Sequence, residues 1–129
     1  MREILFRGKR TDNGEWIEGF YSAEEYNPYI GKIEYIPRIQ IIGKCVSLGV
    51  IPETVGQYTG LTDKNGVKIF EGDIIRFEDD IGYVIYNCDD ASFLVDSPNR
   101  YISMDYSSDF EIIGNIHDNP GLLEGGEGE

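Results

Sequence analysis

The chain has 129 residues, 40% hydrophobic and 27% charged, with 16 glycines and a formal net charge of −13. This composition excludes a mostly disordered chain, and the length suits one compact domain or two small β subdomains. No stretch approaches the roughly 18 apolar residues of a membrane-spanning helix, and the opening Met1-Arg2-Glu3-Ile4 lacks a signal-peptide pattern. The expectation is a soluble, cytoplasmic protein without membrane contact.

Ile4 to Arg10 reads as a strand, Thr11-Asp12-Asn13-Gly14 as a turn and Glu15 to Tyr21 as the return strand of a hairpin. Residues 22–32 read as a loop, because Asn27-Pro28 and Gly31 stop any helix begun at Ser22-Ala23-Glu24-Glu25. Ile33 to Ile42 is apolar and β-branched, a strand in which Pro37 implies an edge or a bulge. Val46 to Ile51, interrupted by Gly49 and ended by Pro52, fits a strand or a turn.

Glu53 to Arg76 carries the densest signals. Val55, Gln57 and Thr59 alternate with Gly56, Tyr58 and Gly60 in the rhythm of a strand. Asn65 and Gly66 both tolerate positive φ, which predicts a type I′ hairpin turn, and Val67 to Phe70 resumes the strand. Glu71-Gly72-Asp73 is a second turn: Gly72 permits a backbone barred to other residues, and Asp73 accepts backbone N–H groups. Ile74 to Phe77 follows as a strand.

Beyond it, Glu78-Asp79-Asp80 reads as a solvated turn, Gly82 to Asn87 as a strand, Cys88-Asp89-Asp90 as another acidic turn and Ser92 to Val95 as a short strand. Ser97 to Arg100 is a loop, and Tyr101 to Ser108 fits either a strand or one helical turn. Phe110 to Ile116 is the last strand, ended at His117, and the acidic run 124–129 is expected to be disordered. Short strands joined by tight turns predict a mainly β fold. The expected organisation is an N-terminal β portion, 1–52, whose hairpin and strand pack on an SH3-like small barrel. That barrel covers about residues 53–117 of a second portion, 53–123. Closure would remove most exposed edges.

Candidate chemistry is sparse. Asp63, Asn65 and Gly66 match three positions of a calcium loop, but Leu61 and Gly72 stand where its first and last ligands belong. The acidic turns at 78–80 and 88–90 flank one strand, roughly 20 Å apart, so their carboxylates would not converge on one atom. His117, Cys45 and Cys88 lack zinc-ligand spacing, and both cysteines are expected as free, partly buried thiols. No phosphate-binding glycine loop is present. No catalytic, cofactor-binding or metal residue is assigned, and no cofactor is expected. The residues singled out are the turn formers Asn13, Gly14, Asn65, Gly66, Gly72 and Asp73.

Charge is unevenly placed. Residues 1–52 hold seven basic and seven acidic side chains, whereas 53–129 hold four basic and seventeen acidic, so the second part carries the whole net charge. Such a surface repels phosphate backbones, and bulk nucleic acid is not an expected partner. Arg7, Lys9 and Arg10 form the one candidate patch for a nucleic-acid-binding face.

Three segments carry a family resemblance. They are Arg2 to Gly8, R-E-I-L-F-R-G; Glu53 to Leu61, with Asp63-Lys64-Asn65-Gly66 and Ile69-Phe70-Glu71-Gly72-Asp73-Ile74-Ile75; and Phe110 to His117, with Asn119-Pro120 and Leu122-Leu123. They resemble the YopX-like proteins of bacteriophages and prophages in Gram-positive bacteria, a likeness that covers nearly the whole chain and treats 1–123 as one YopX-like domain. It implies a mostly β protein with an SH3-like portion, encoded on phage or prophage DNA and active in the host cytoplasm, and it brings no catalytic residues. The expected function is a non-enzymatic accessory protein acting through protein–protein contacts, as a homo-oligomer and with a host or phage protein. The alternatives are an acidic decoy for a host nucleic-acid-binding protein and a nucleic-acid-binding barrel using the N-terminal face.

Overall fold

Short strands joined by tight turns pair most simply as antiparallel neighbours, and every strand pairing among the described residues is antiparallel. The computed structural model describes residues 4–41, 44 and 46–123, with backbone alone at Glu24, Glu25, Tyr26 and Glu34. The expected tail at 124–129 and the Cys45 thiol lie outside the described residues. The chain divides into two compact units, Met1–Gln57 and Tyr58–Glu129, where the sequence reading divides it at 52/53.

In the first unit β1 (Phe6–Lys9) pairs with β2 (Trp16–Asn27), β2 with β3 (Lys32–Ile41), and β3 with β4 (Ser47–Gly49). The run 46–51 is thus strand first. It then returns to β1: Val50 bridges Arg10, and the Ile51 N–H donates to the Lys9 carbonyl at 2.9 Å. A 3-10 turn, Pro52–Thr54, follows, and Thr54 Oγ1 accepts from the Lys9 N–H at 2.9 Å. Leu5, Ile39 and Val50 are buried, whereas Ile4, expected inside the first strand, precedes β1 and is exposed.

The expected loop at 22–32 is mostly strand. Ser22 to Asn27 are poor strand formers, but β3 offers a continuous ladder, from Glu24↔Tyr35 to Asn27↔Lys32, that takes up their backbone groups. The turn shrinks to four residues, 28–31, with Gly31 at φ +68°. Pro37 lies at the register shift opposite Ser22 and Glu24, the bulge that its missing N–H implies.

β5 (Gly56–Thr62) starts in the first unit, where Gly56 and Gln57 pair with β1, and ends in the second, where it pairs with β6 (Lys68–Phe70). The second unit continues with β7 (Asp73–Phe77), β8 (Asp80–Asn87), β9 (Ser92–Asp96), β10 (Tyr101–Ser103) and β11 (Glu111–Asn115). Their order across the sheet is β10-β9-β8-β7-β11. The mainly β expectation holds, but the sheet is not a closed barrel, since β10 and β11 are its ends. β10 stops after three residues because Ser103 Oγ accepts from the Asp105 N–H and caps a 3-10 turn, Met104–Asp109. Tyr101 to Ser108 is therefore strand and then helical turn.

The core of this unit is Ile69, Ile75, Phe77, Val84, Phe93, Val95, Ile102, Met104 and Phe110. Burying each large apolar side chain contributes about 1.5–3 kcal/mol relative to exposure. Phe110 stands edge-on to Phe77, centroids 5.3 Å apart, which fixes the 3-10 turn over the sheet.

Candidate functional site

The turn formers do not gather at one place. Asn13 and Gly14 close the β1–β2 hairpin, Asn65 and Gly66 the β5–β6 hairpin, and Gly72 and Asp73 join β6 to β7. At the first, Gly14 has φ +75° and donates to the Arg10 carbonyl at 3.1 Å, while Asn13 Oδ1 accepts from the Glu15 N–H at 2.9 Å.

The β5–β6 turn differs from the predicted type I′. Gly66 has φ +80°, but Asn65 stays out of the positive region. Gly66 N–H donates to the Asp63 carbonyl at 3.0 Å, and Asp63 N–H to the Val67 carbonyl at 2.9 Å. This is a three-residue loop in which a turn is followed by a left-handed glycine. The cause is Asp63, whose Oδ1 accepts from the N–H groups of Asn65 (2.9 Å) and Val67 (3.0 Å) and holds Asn65 in place. Its Oδ2 accepts from the Ile112 N–H at 3.2 Å, and the Lys64 N–H donates to the Phe110 carbonyl at 3.0 Å, so the turn is tied to β11. Burial alone raises the Asp63 pKa. The three N–H groups and Lys64 outweigh it, and the net shift is downward. Sequence reasoning weighed Asp63 only as a calcium ligand; an aspartate two residues before Asn-Gly was the available sign of this Asx-type turn.

At the β6–β7 junction Gly72 has φ +93°, and Asp73, 2% exposed, accepts from the Phe70 N–H through Oδ2 at 2.7 Å. Gly72 donates to the Val84 carbonyl and accepts from the Ile116 N–H, each at 2.9 Å. Asp73→Ala is expected to lower stability by about 2–3 kcal/mol, because it strands a buried N–H, and Asp73→Asn by about 1 kcal/mol, because a carbonyl acceptor remains. Thermal melts check this, run with and without calcium or magnesium. A melting temperature raised by either ion in the parent and not in Asp73→Asn would reassign Asp73 as a ligand.

The acidic turn at 78–80 is not simply solvated. Asp80 is 9% exposed and accepts from Asn99 Nδ2 at 2.9 Å and Arg100 Nε at 2.7 Å, while Glu78 accepts from Arg100 Nη2 at 2.8 Å. The Arg100 guanidinium also lies 5.5 Å from the Phe77 ring centroid. The Asn99 hydrogen bond and then Arg100 pull the Asp80 pKa down against burial. A shallow depression of about 390 Å³ is lined by 96–101, but its one cation, Arg100, is turned onto these carboxylates.

The second acidic turn stands at the opposite end of β8, as the strand assignment required. Cys88 in it is a free thiol and exposed rather than partly buried, because its turn projects beyond the sheet. Among the described residues no group of three His, Cys, Asp or Glu side chains is placed to hold a metal ion. His117 follows β11 in a turn, near Gly72. In the first unit Arg7 and Lys9 lie over the Trp16 ring at 4.8 and 5.8 Å from its centroid, and Arg10 is bound by Asp12, so these three cations are engaged at an aromatic and an acid. The large apolar side chains Phe20, Tyr29, Ile33 and Tyr35 are exposed. No helix of the described residues is long and apolar enough to cross a membrane.

These observations define a small antiparallel β protein whose buried polar groups hold turns. The family described as YopX protein matches residues 5–124, and the chain belongs to it. Among solved structures the chain is similar to protein EF1440 from Enterococcus faecalis, with 25% identity and a TM-score of 0.57 over 96% of this chain and 100% of that one. No curated protein matches the chain.

Proposed function

We propose that this chain is a phage- or prophage-encoded accessory protein of the host cytoplasm, acting by protein–protein contact as a homo-oligomer and without catalysis. The observation that carries the reading is the set of large apolar side chains left in water on the first unit, with Tyr29 95% and Ile33 66% exposed. Exposed aromatic and β-branched groups gathered at a strand end and its turn favour association. YopX family membership is consistent with it. Light scattering on the full chain tests it: a mass that is a multiple of the 14.6 kDa chain supports the reading, and a monomer at about 100 µM overturns it.

A second reading, an acidic decoy for a basic host nucleic-acid-binding protein, is favoured by one observation. The four cations of the second unit are all engaged within it: Lys64 and Arg76 at Glu111, Arg100 at Glu78 and Asp80, and Lys68 over Tyr58. Exposed Asp79, Asp89, Asp105 and Asp109 are then left to set the field outside. Capture of a basic partner from host lysate, released by salt, would favour this reading.

A further inference from the structure

We infer that the outer part of the β2–β3 ribbon is the surface through which two copies of this chain pair; this rests on the self-association proposed above. β1 pairs with β2 only over Trp16–Gly19, and β4 with β3 only over Arg38–Gln40. Beyond these limits β2 and β3 run on together to Asn27 and Lys32, with no third strand on either side among the described residues. A two-stranded ribbon is marginally stable in water, and a strand edge is a template on which a further strand can pair. Among charged residues of the same stretch, four large apolar side chains at this end are exposed: Tyr29 95%, Ile33 66%, Tyr35 64% and Ile30 54%. The Tyr35 hydroxyl lies 3.0 Å from that of Tyr21, which holds one ring of the patch in place.

The occupant that fits is a second copy. Ile33 and Tyr35 are two residues apart on β3, before its bulge, and share a face. An antiparallel pairing of this edge with itself, centred on Ile33, sets Ile33 against its own copy and position 32, a lysine, opposite position 34, a glutamate. This opposite-charge pair is made twice by the two-fold axis, whereas a pairing centred on position 34 would set like charges face to face. The exposed apolar area is of the right order: taking roughly 200 Å² for each tyrosine, Tyr29 and Tyr35 offer about 300 Å² per copy at these exposures. A specific interface buries about 1,000 Å² or more in all, so a stable pair must cover most of this patch together with Ile30 and Ile33.

The test is sedimentation velocity on the full chain between about 5 and 100 µM, with Ile33→Thr, Tyr35→Thr and, as a control on the second unit, Tyr101→Thr; threonine keeps a strand former and adds no charge opposite Glu24 or Asp96. Tyr101 is 70% exposed, and its change should leave association as it is. The parent and Tyr101→Thr are expected to be dimers. Each ribbon variant is expected to dissociate at least tenfold more readily while staying folded by circular dichroism, its melt lowered only as far as the lost association lowers it. A parent that associates equally well with both ribbon variants overturns this surface and leaves self-association standing. A monomeric parent overturns both.

Discussion

Replacing Asp63 with alanine is expected to lower the unfolding free energy by about 3–5 kcal/mol, one of the two largest effects of any single substitution proposed for this chain. The carboxylate is 5% exposed and accepts from three backbone N–H groups, two in its own turn and one on β11. Alanine strands all three at once and loosens the tie between the β5–β6 hairpin and the last strand. Asp63→Asn is expected to fall between parent and alanine. An amide oxygen still serves Asn65 and Val67, but the NH2 group then faces the Ile112 N–H, donor against donor. Urea midpoints of the three proteins check the order, and an alanine variant within about 1 kcal/mol of the parent would remove Asp63 from this role.

The same contact predicts a pH dependence. The Asp63 pKa is lowered in the fold, so the unfolded chain takes up the proton first as pH falls. The stabilisation is therefore fully present above the unfolded value of about 3.9 and is lost as pH drops below it toward the folded value. Asp80 and Glu111, lowered by Asn99 with Arg100 and by Arg76 respectively, act in the same direction. The parent should lose stability steeply below about pH 4, and Asp63→Asn, lacking one such group, less steeply.

What the sequence made legible was the local order. The strand rhythm around Gly56–Thr62, the turn at Asn13-Gly14, the left-handed glycines at 66 and 72, and the acceptor role of Asp73 all follow from chemistry within a few residues of one another, whereas the burial of Asp73 does not. What it hid were features set by distant partners. Ser22 to Asn27 become strand only because β3 pairs with them, and a loop-like composition says nothing of that ladder. Asp80 looks like a surface acid until Asn99 and Arg100, about twenty residues on, close over it. The open second sheet has the same origin. Whether its end strands β10 and β11 pair is decided between residues far apart in sequence, and here they remain the two ends of the sheet. For the candidate interaction surface, Tyr29, Ile33 and Tyr35 were visible as apolar residues, but a strand core and an exposed ribbon have the same composition.

Gly82→Ala is expected to be the other severe substitution, costing about 3 kcal/mol or more, although nothing in its backbone angles demands glycine. The reason is a close approach. Gly82 lies in β8 opposite Ile75 of β7, and a Cβ there would overlap the Asp96 carbonyl on β9 and stand 2.9 Å from Val95 Cγ1. A backbone carbonyl cannot swing aside as a side-chain tip can, so β8 and β9 must part where Tyr83 pairs with Asp96 and Val84 with Val95. Val84 and Val95 are 1% and 0% exposed, and β10 pairs only with β9 in the sheet, so the damage spreads to the edge. Gly66→Ala is the informative contrast. Its φ of +80° strains any L side chain, but no atom lies within 4 Å of the new Cβ. The cost there should be the conformational penalty alone, about 1–2 kcal/mol. Urea titrations of the two variants, with amide exchange at Val84 and Val95, separate the two origins of glycine preference. Steric closeness predicts a much larger loss for Gly82→Ala and early exchange confined to β8–β10. Equal losses would mean that β9 yields to a methyl group, and that its backbone is not held where the Asp96 carbonyl now sits.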